Sequence, residues 1–170
     1  MLVSIYNTDN KQAAFFLFFA AAFYNFLTLK KAHLVSRSEI KIRFSDTDAL
    51  GIVWHGNFIK YFEDGREAFS AEHGLNYLAM YNEGFATPIV KSLCEHKKPL
   101  KYSDVAIIET EFVNNPAAKI HFRYKIFCKS DGALSATGET IQVFLDKNSN
   151  LFLNHPPYFE SWKKKNGLLK

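Results

Sequence analysis

Residues 40–74, IKIRFSDTDALGIVWHGNFIKYFEDGREAFSAEHG, decide the fold of this 170-residue chain. Ile40, Ile42 and Phe44 alternate with Lys41, Arg43 and Ser45, the two-residue period of a half-buried strand, and Asp46, Thr47 and Asp48 end it. The run Ala49-Leu50-Gly51-Ile52-Val53-Trp54 is too apolar for an open surface loop. It belongs against the core or against a second subunit, with Gly51 supplying the turn. From Asn57 the period becomes helical: Phe58, Tyr61, Phe62, Gly65 and Phe69 share one face, while Lys60, Glu63, Asp64, Arg66 and Glu67 lie elsewhere. Asn57 reads as the N-cap and Gly74 as the C-terminal stop, so the spacing predicts a helix over about Asn57 to His73. Gly65 in the buried stripe costs about 1 kcal/mol relative to alanine, which calls for a sheet packed closely on the helix backbone there.

Asp48 precedes by seven positions the helix start at His55-Gly56-Asn57. The first N–H groups of a helix lack intrahelical acceptors and carry the positive end of its dipole. A carboxylate beside such donors suits acyl transfer, because the acid can activate water or attack while the N–H groups hold the oxyanion. The same residues admit plainer readings. Asp46 and Asp48 are common turn formers, and Asp46 is assigned here to turn support. His55 alone reads as a structural residue at a helix start, and Tyr61 and Glu63 as packing and surface. An acid pair with His55 also suggests a metal, but no third good ligand stands nearby.

The run from Asp46 to Phe58, DTDALGIVWHGNF, followed by Tyr61-Phe62-Glu63, resembles the signature of the hydroxybenzoyl-CoA thioesterase branch of the hot-dog fold. That branch includes the acyl-CoA thioesterases associated with the bacterial Tol-Pal region. The resemblance covers the chain from about Glu39 onward. One departure is Glu63-Asp64-Gly65-Arg66, where relatives often carry an acid, a small residue and then Arg. The resemblance implies an α+β hot-dog domain, hydrolysis of acyl-CoA thioesters to free acid and coenzyme A, and Asp48 as the catalytic carboxylate. It puts the N–H that polarises the thioester carbonyl on His55 or its neighbour Gly56, and makes Val53, Trp54, Asn57 and Tyr61 candidates for substrate contact. It implies no metal and no bound cofactor, since coenzyme A enters with the substrate, and a homodimer or homotetramer with the site at a subunit boundary. Two other functions fit the same scaffold: an acyl-carrier-protein thioesterase, and a non-catalytic acyl-CoA-binding module.

Composition sets outer limits. At 48% hydrophobic and 16% aromatic, the chain is long and apolar enough to bury one real core. Its net charge of +4 suits a phosphorylated ligand, but its lysines are scattered, with no basic helix and no nucleic-acid signature, so nucleic acid is not an expected partner. Lys91, Lys97, Lys98 and Lys101 are the candidates for coenzyme A phosphates. Cys94 and Cys128 lack metal-ligand spacing and read as small core residues in a reducing, cytoplasmic setting.

Residues 1–35 read as an N-terminal hydrophobic extension to the domain at 36–170. Its segment 13–29, AAFFLFFAAAFYNFLTL, carries no charge but falls short of the roughly 20 residues of a spanning helix. It stands as an anchor giving membrane association, a signal-like segment or an unused start. Downstream, Phe85–His96, Asp104–Val113, Lys119–Lys129 and Ala133–Asp146 read as strands. With the Ile40 strand they make about five antiparallel strands, which one long helix must cover. The tail from Pro156 reads as a short helix carrying Tyr158, Phe159 and Trp162, packed on the surface or on a neighbour.

Overall fold

In the computed structural model, which describes residues 33–169, the apolar stripe forms helix α1 at Asn57–His73. Strand β1 (Val35–Lys41) and one 3-10 turn (Phe44–Asp46) precede it. After it come α2 (Tyr77–Asn82), β2 (Ile89–His96), β3 (Val105–Phe112), β4 (Lys119–Cys128), β5 (Leu134–Leu145), β6 (Leu151–Phe152) and α3 (Pro157–Lys165). The strands form one antiparallel sheet in the order β1-β3-β4-β5-β2, with β6 paired to the end of β5. Helix α1 lies on one face, against β1, β3 and β2, the α+β hot-dog arrangement of a sheet around a central helix. The expectations for residues 1–32, including segment 13–29, lie outside the described residues. Among the described residues no helix is long and apolar enough to cross a membrane.

The close approach predicted at Gly65 is met by β3. A Cβ there would sit 2.5 Å from Thr110 Oγ1 and 2.9 Å from Ile108 Cγ2. Around that contact Phe58, Tyr61, Phe62 and Phe69 fill the core with Ile108, Phe122, Tyr124 and Phe144. Phe62 stacks on Tyr124 with ring centroids 4.3 Å apart.

Four local expectations are corrected. The first strand starts five residues earlier than the Ile40 alternation suggests, because β3 pairs with it from Val35↔Glu111 to Lys41↔Val105. Its end is set by Asp46, whose carboxylate accepts from the Arg43 N–H at 2.8 Å and closes the 3-10 turn, leaving Phe44 78% exposed. Arg66 is buried, its Nη1 donating to the Tyr124 hydroxyl at 3.2 Å. On β5 the buried face carries Thr140, Gln142 and Phe144, while Ile141, Val143 and Leu145 are only partly buried. Its polar members are satisfied there: Tyr124 and Thr140 hydroxyls meet at 2.6 Å, and Gln142 Nε2 donates to the Thr87 carbonyl at 2.8 Å. Finally, α3 is part of the core. Phe159 and Trp162 are buried against Phe112, and Trp162 Nε1 donates to the His73 carbonyl at 2.8 Å.

Candidate active site

The site is built from the loop between the 3-10 turn and α1. Thr47 bridges Val53, the Asp48 N–H donates to the Ile52 carbonyl at 2.9 Å, and the Gly51 N–H donates to the Asp48 carbonyl at 2.9 Å. Gly51 takes a positive φ of 72° to close this turn. The loop is then docked on the segment ahead of β3, with Val53 N–H donating to the Leu100 carbonyl at 2.8 Å. Backbone pairing therefore fixes where Asp48 stands.

Asp48 is half-buried, and its Oδ1 accepts from the Leu50 N–H at 2.8 Å. Its second oxygen meets no protein donor among the described residues, so it remains available to a substrate. Asp46 does different work. Its backbone carbonyl accepts from the Trp54 N–H and from Asn57 Nδ2, both at 2.9 Å, which ties the loop to the helix start.

The N-cap is Gly56 rather than Asn57, since the Asn57 side chain is spent on Asp46 and Asn57 is already in the helix. The Asn57 N–H goes to the Trp54 carbonyl at 2.9 Å and the Phe58 N–H to the His55 carbonyl at 3.3 Å. Among the described residues the N–H groups of His55 and Gly56 reach no acceptor. They are the free donors of the helix start. A Cβ at Gly56 would fall on the Trp54 indole, so any larger residue there displaces that ring.

Asp48, Val53 and His55 line one cavity of ≈ 330 Å³, with Ile52, Phe58, His96, Lys97, Lys98 and Pro99. The acid and the helix start thus share one open space, large enough for an acyl thioester. Of the remaining sequence candidates, Gly56, Trp54, Asn57 and Tyr61 do not line it. Asn57 and Tyr61 are buried behind the loop. Burial first, and the neighbouring Asp46 carboxylate second, hold the Tyr61 phenol well above the ordinary tyrosine range, so it stays neutral. A roomier groove of ≈ 780 Å³ runs between β1 and α1, but it contains neither Asp48 nor the helix start.

Phe58 and His96 are cavity residues that the sequence reading assigned only to packing and to a strand end. Their rings meet edge to face at 4.8 Å. The pairing of β2 with β5, from Ile89↔Gln142 to His96↔Ala136, brings His96 to the helix start, and nothing in the local sequence encodes that register. Of the four candidate lysines, Lys97 and Lys98 reach the cavity, where Lys97 pairs with Glu95 at 2.9 Å and Lys98 with Asp131 at 2.6 Å. Lys91 pairs with Glu139 away from it.

This loop, helix and sheet define a hot-dog thioesterase architecture. The chain matches the thioesterase-like superfamily over residues 42–163, and it belongs to that family. The putative acyl-CoA thioesterase YneP of Bacillus subtilis is 31% identical over 128 residues, covering 75% of this chain and 92% of that protein. The acyl-CoA thioester hydrolase YbgC of Escherichia coli is 24% identical over 110 residues, covering 65% and 81%. Among solved structures, the DHNA-CoA thioesterase of Staphylococcus aureus superposes with a TM-score of 0.69 at 25% identity, covering 79% of this chain and 92% of that one.

Proposed function

We propose that this protein hydrolyses acyl-CoA thioesters to the free acid and coenzyme A, with Asp48 as the acid that acts on the thioester. The observation that carries the reading is the shared cavity of Asp48 and the helix start. The names of the relatives point to the same substrate class. In this reading the thioester carbonyl accepts from the free N–H of His55 or Gly56, and Asp48 activates water or attacks the carbonyl carbon. Val53 forms part of the acyl wall. Lys97 and Lys98 stand at the rim, where the phosphates of coenzyme A approach.

The functional unit in this reading is a homodimer or homotetramer. Two observations support it. Strand β2 ends the sheet with Ile89, Val90 and Leu93 exposed, an edge that soluble proteins normally cover. In the loop, Leu50 is 81% and Trp54 50% exposed, so of the apolar run only Val53 is buried within one chain. A second copy covers these residues and completes the cavity. The domain reaches back past the boundary expected at residue 36, since β1 starts at Val35 and the Leu34 carbonyl accepts from the Phe112 N–H at 2.9 Å, and membrane contact by the preceding residues is a separate question from catalysis. The two cysteines, both unpaired, suit a cytoplasmic location.

A panel of short, long and aromatic acyl-CoAs, with release of free thiol as the readout, tests the reading. Thiol release dependent on the protein is expected for at least one acyl class. Release only from acyl carrier protein would replace the substrate class, and tight acyl-CoA binding without release would make the protein a binding module.

A further inference from the structure

We infer that His96 is the proton donor to the departing sulfur of the thioester. The inference rests on the hydrolase reading above and adds a residue that the acid and the helix start leave missing. When the C–S bond breaks, its electron pair goes to sulfur as a thiolate, and a proton must reach it. If Asp48 takes a proton from the attacking water, it is not the group that supplies this one in the same step.

The groups facing the cavity that can carry a proton are Asp48, His55, His96, Lys97 and Lys98. The two lysines are held off by Glu95 and Asp131. Their backbone N–H groups are both bound to the Ser135 carbonyl, at 2.8 and 3.1 Å, so the segment that carries them is pinned to β5. His55 contributes its backbone at the helix start. His96 remains, an exposed imidazole at the end of β2.

Its ring is positioned from two sides. Phe58 of α1 meets it edge to face at 4.8 Å, and Cys94 Sγ lies 3.9 Å from Nδ1. With Nδ1 turned toward Cys94, Nε2 is the nitrogen left for the substrate. Imidazole is the side chain best matched to proton transfer near neutral pH.

The balance is complete without any further reactant. Water adds to the carbonyl carbon and gives a proton to Asp48. The tetrahedral intermediate collapses, C–S breaks, and the imidazolium of His96 protonates sulfur. The products are acid and neutral thiol, and the proton on Asp48 returns to the His96 imidazole through solvent.

The test is His96→Phe, which keeps an aromatic ring against Phe58 and removes the proton, with His96→Gln as a second variant should the first fold poorly. Hydrolysis is measured with an acyl-CoA and with the same acyl group on an aryl thiol of low pKa, which leaves without protonation. Turnover of the acyl-CoA is expected to fall about 100-fold, the low end for general acid catalysis because a thiol is already a good leaving group. Turnover of the aryl thioester stays within a few-fold of wild type. An equal loss on both substrates, or no loss on either, overturns the role. A wild type inactive on every acyl-CoA sinks the hydrolase reading itself, which separates the two failures.

Discussion

At its C-terminal end α1 is sealed. Gly74 closes the last turn by donating to the Ser70 carbonyl, the Tyr158 hydroxyl donates to the Gly74 carbonyl at 2.8 Å, and Trp162 Nε1 reaches the His73 carbonyl. Phe69, Phe112, Phe159 and Trp162 pack around those bonds, with Phe112 and Trp162 centroids 5.0 Å apart. At its N-terminal end the same helix has no side-chain cap, the His55 and Gly56 N–H groups reach no acceptor among the described residues, Leu50 and Trp54 are exposed in the preceding loop, and the exposed His96 lines the cavity. The difference separates two jobs on one helix. Burial at one end stabilises the fold, which lets the other end keep polar groups unsatisfied for a ligand.

That contrast can be broken by substitutions that move stability without activity, or the reverse. The largest effect belongs to the sealed end. Trp162→Ala should lower unfolding free energy by about 3–5 kcal/mol in denaturant titration. Turnover per folded molecule should be unchanged, and a selective loss of turnover would show that the two ends are not separate. Gly65→Ala comes next, since its Cβ collides with Thr110 and Ile108. An overpacking cost of about 1–3 kcal/mol, offset by about 1 kcal/mol of helix propensity, leaves a net loss visible as a lowered Tm. A stabilised variant would contradict the close packing of β3 on α1.

At the open end the effects shrink in stability and shift to activity. Asn57→Ala removes the amide that holds the Asp46 carbonyl, for a loss of about 1 kcal/mol. Turnover should fall more than stability implies, because the loop carrying Asp48 loosens. A loss confined to stability would take Asn57 out of site positioning. Smallest of all, His55→Ala should keep turnover within about tenfold, since a backbone N–H survives the substitution. A fall of several orders of magnitude would assign the chemistry to the imidazole ring.

Much of the architecture was legible because the apolar period of α1 and the alternation of β4 are long and clean: Ile120, Phe122, Tyr124, Ile126 and Cys128 are all buried. Misreadings fell where polar residues point inward or apolar ones outward. Arg66 is buried because the Tyr124 hydroxyl accepts from its guanidinium, and Phe44 is exposed because Asp46 ends the strand first. Cys128 is buried as read, whereas Cys94 on the sheet edge is only half so. The placement of Asp48 opposite the helix start could be read from spacing. The presence of His96 and Phe58 in the same cavity could not, because strand register and the docking of residues 96–99 on β5 are long-range facts. The burial of α3 was hidden for the same reason: its aromatic residues find partners on β3 and β5, far away in sequence.

The central claim is tested most directly by Asp48→Asn, with kcat for acyl-CoA hydrolysis and equilibrium binding of the same acyl-CoA measured on one preparation. Turnover should drop at least about 100-fold while affinity and Tm hold, because only the charge and basicity of one side chain have changed. Near-normal turnover would remove this carboxylate from the chemistry and leave the fold without the mechanism proposed for it.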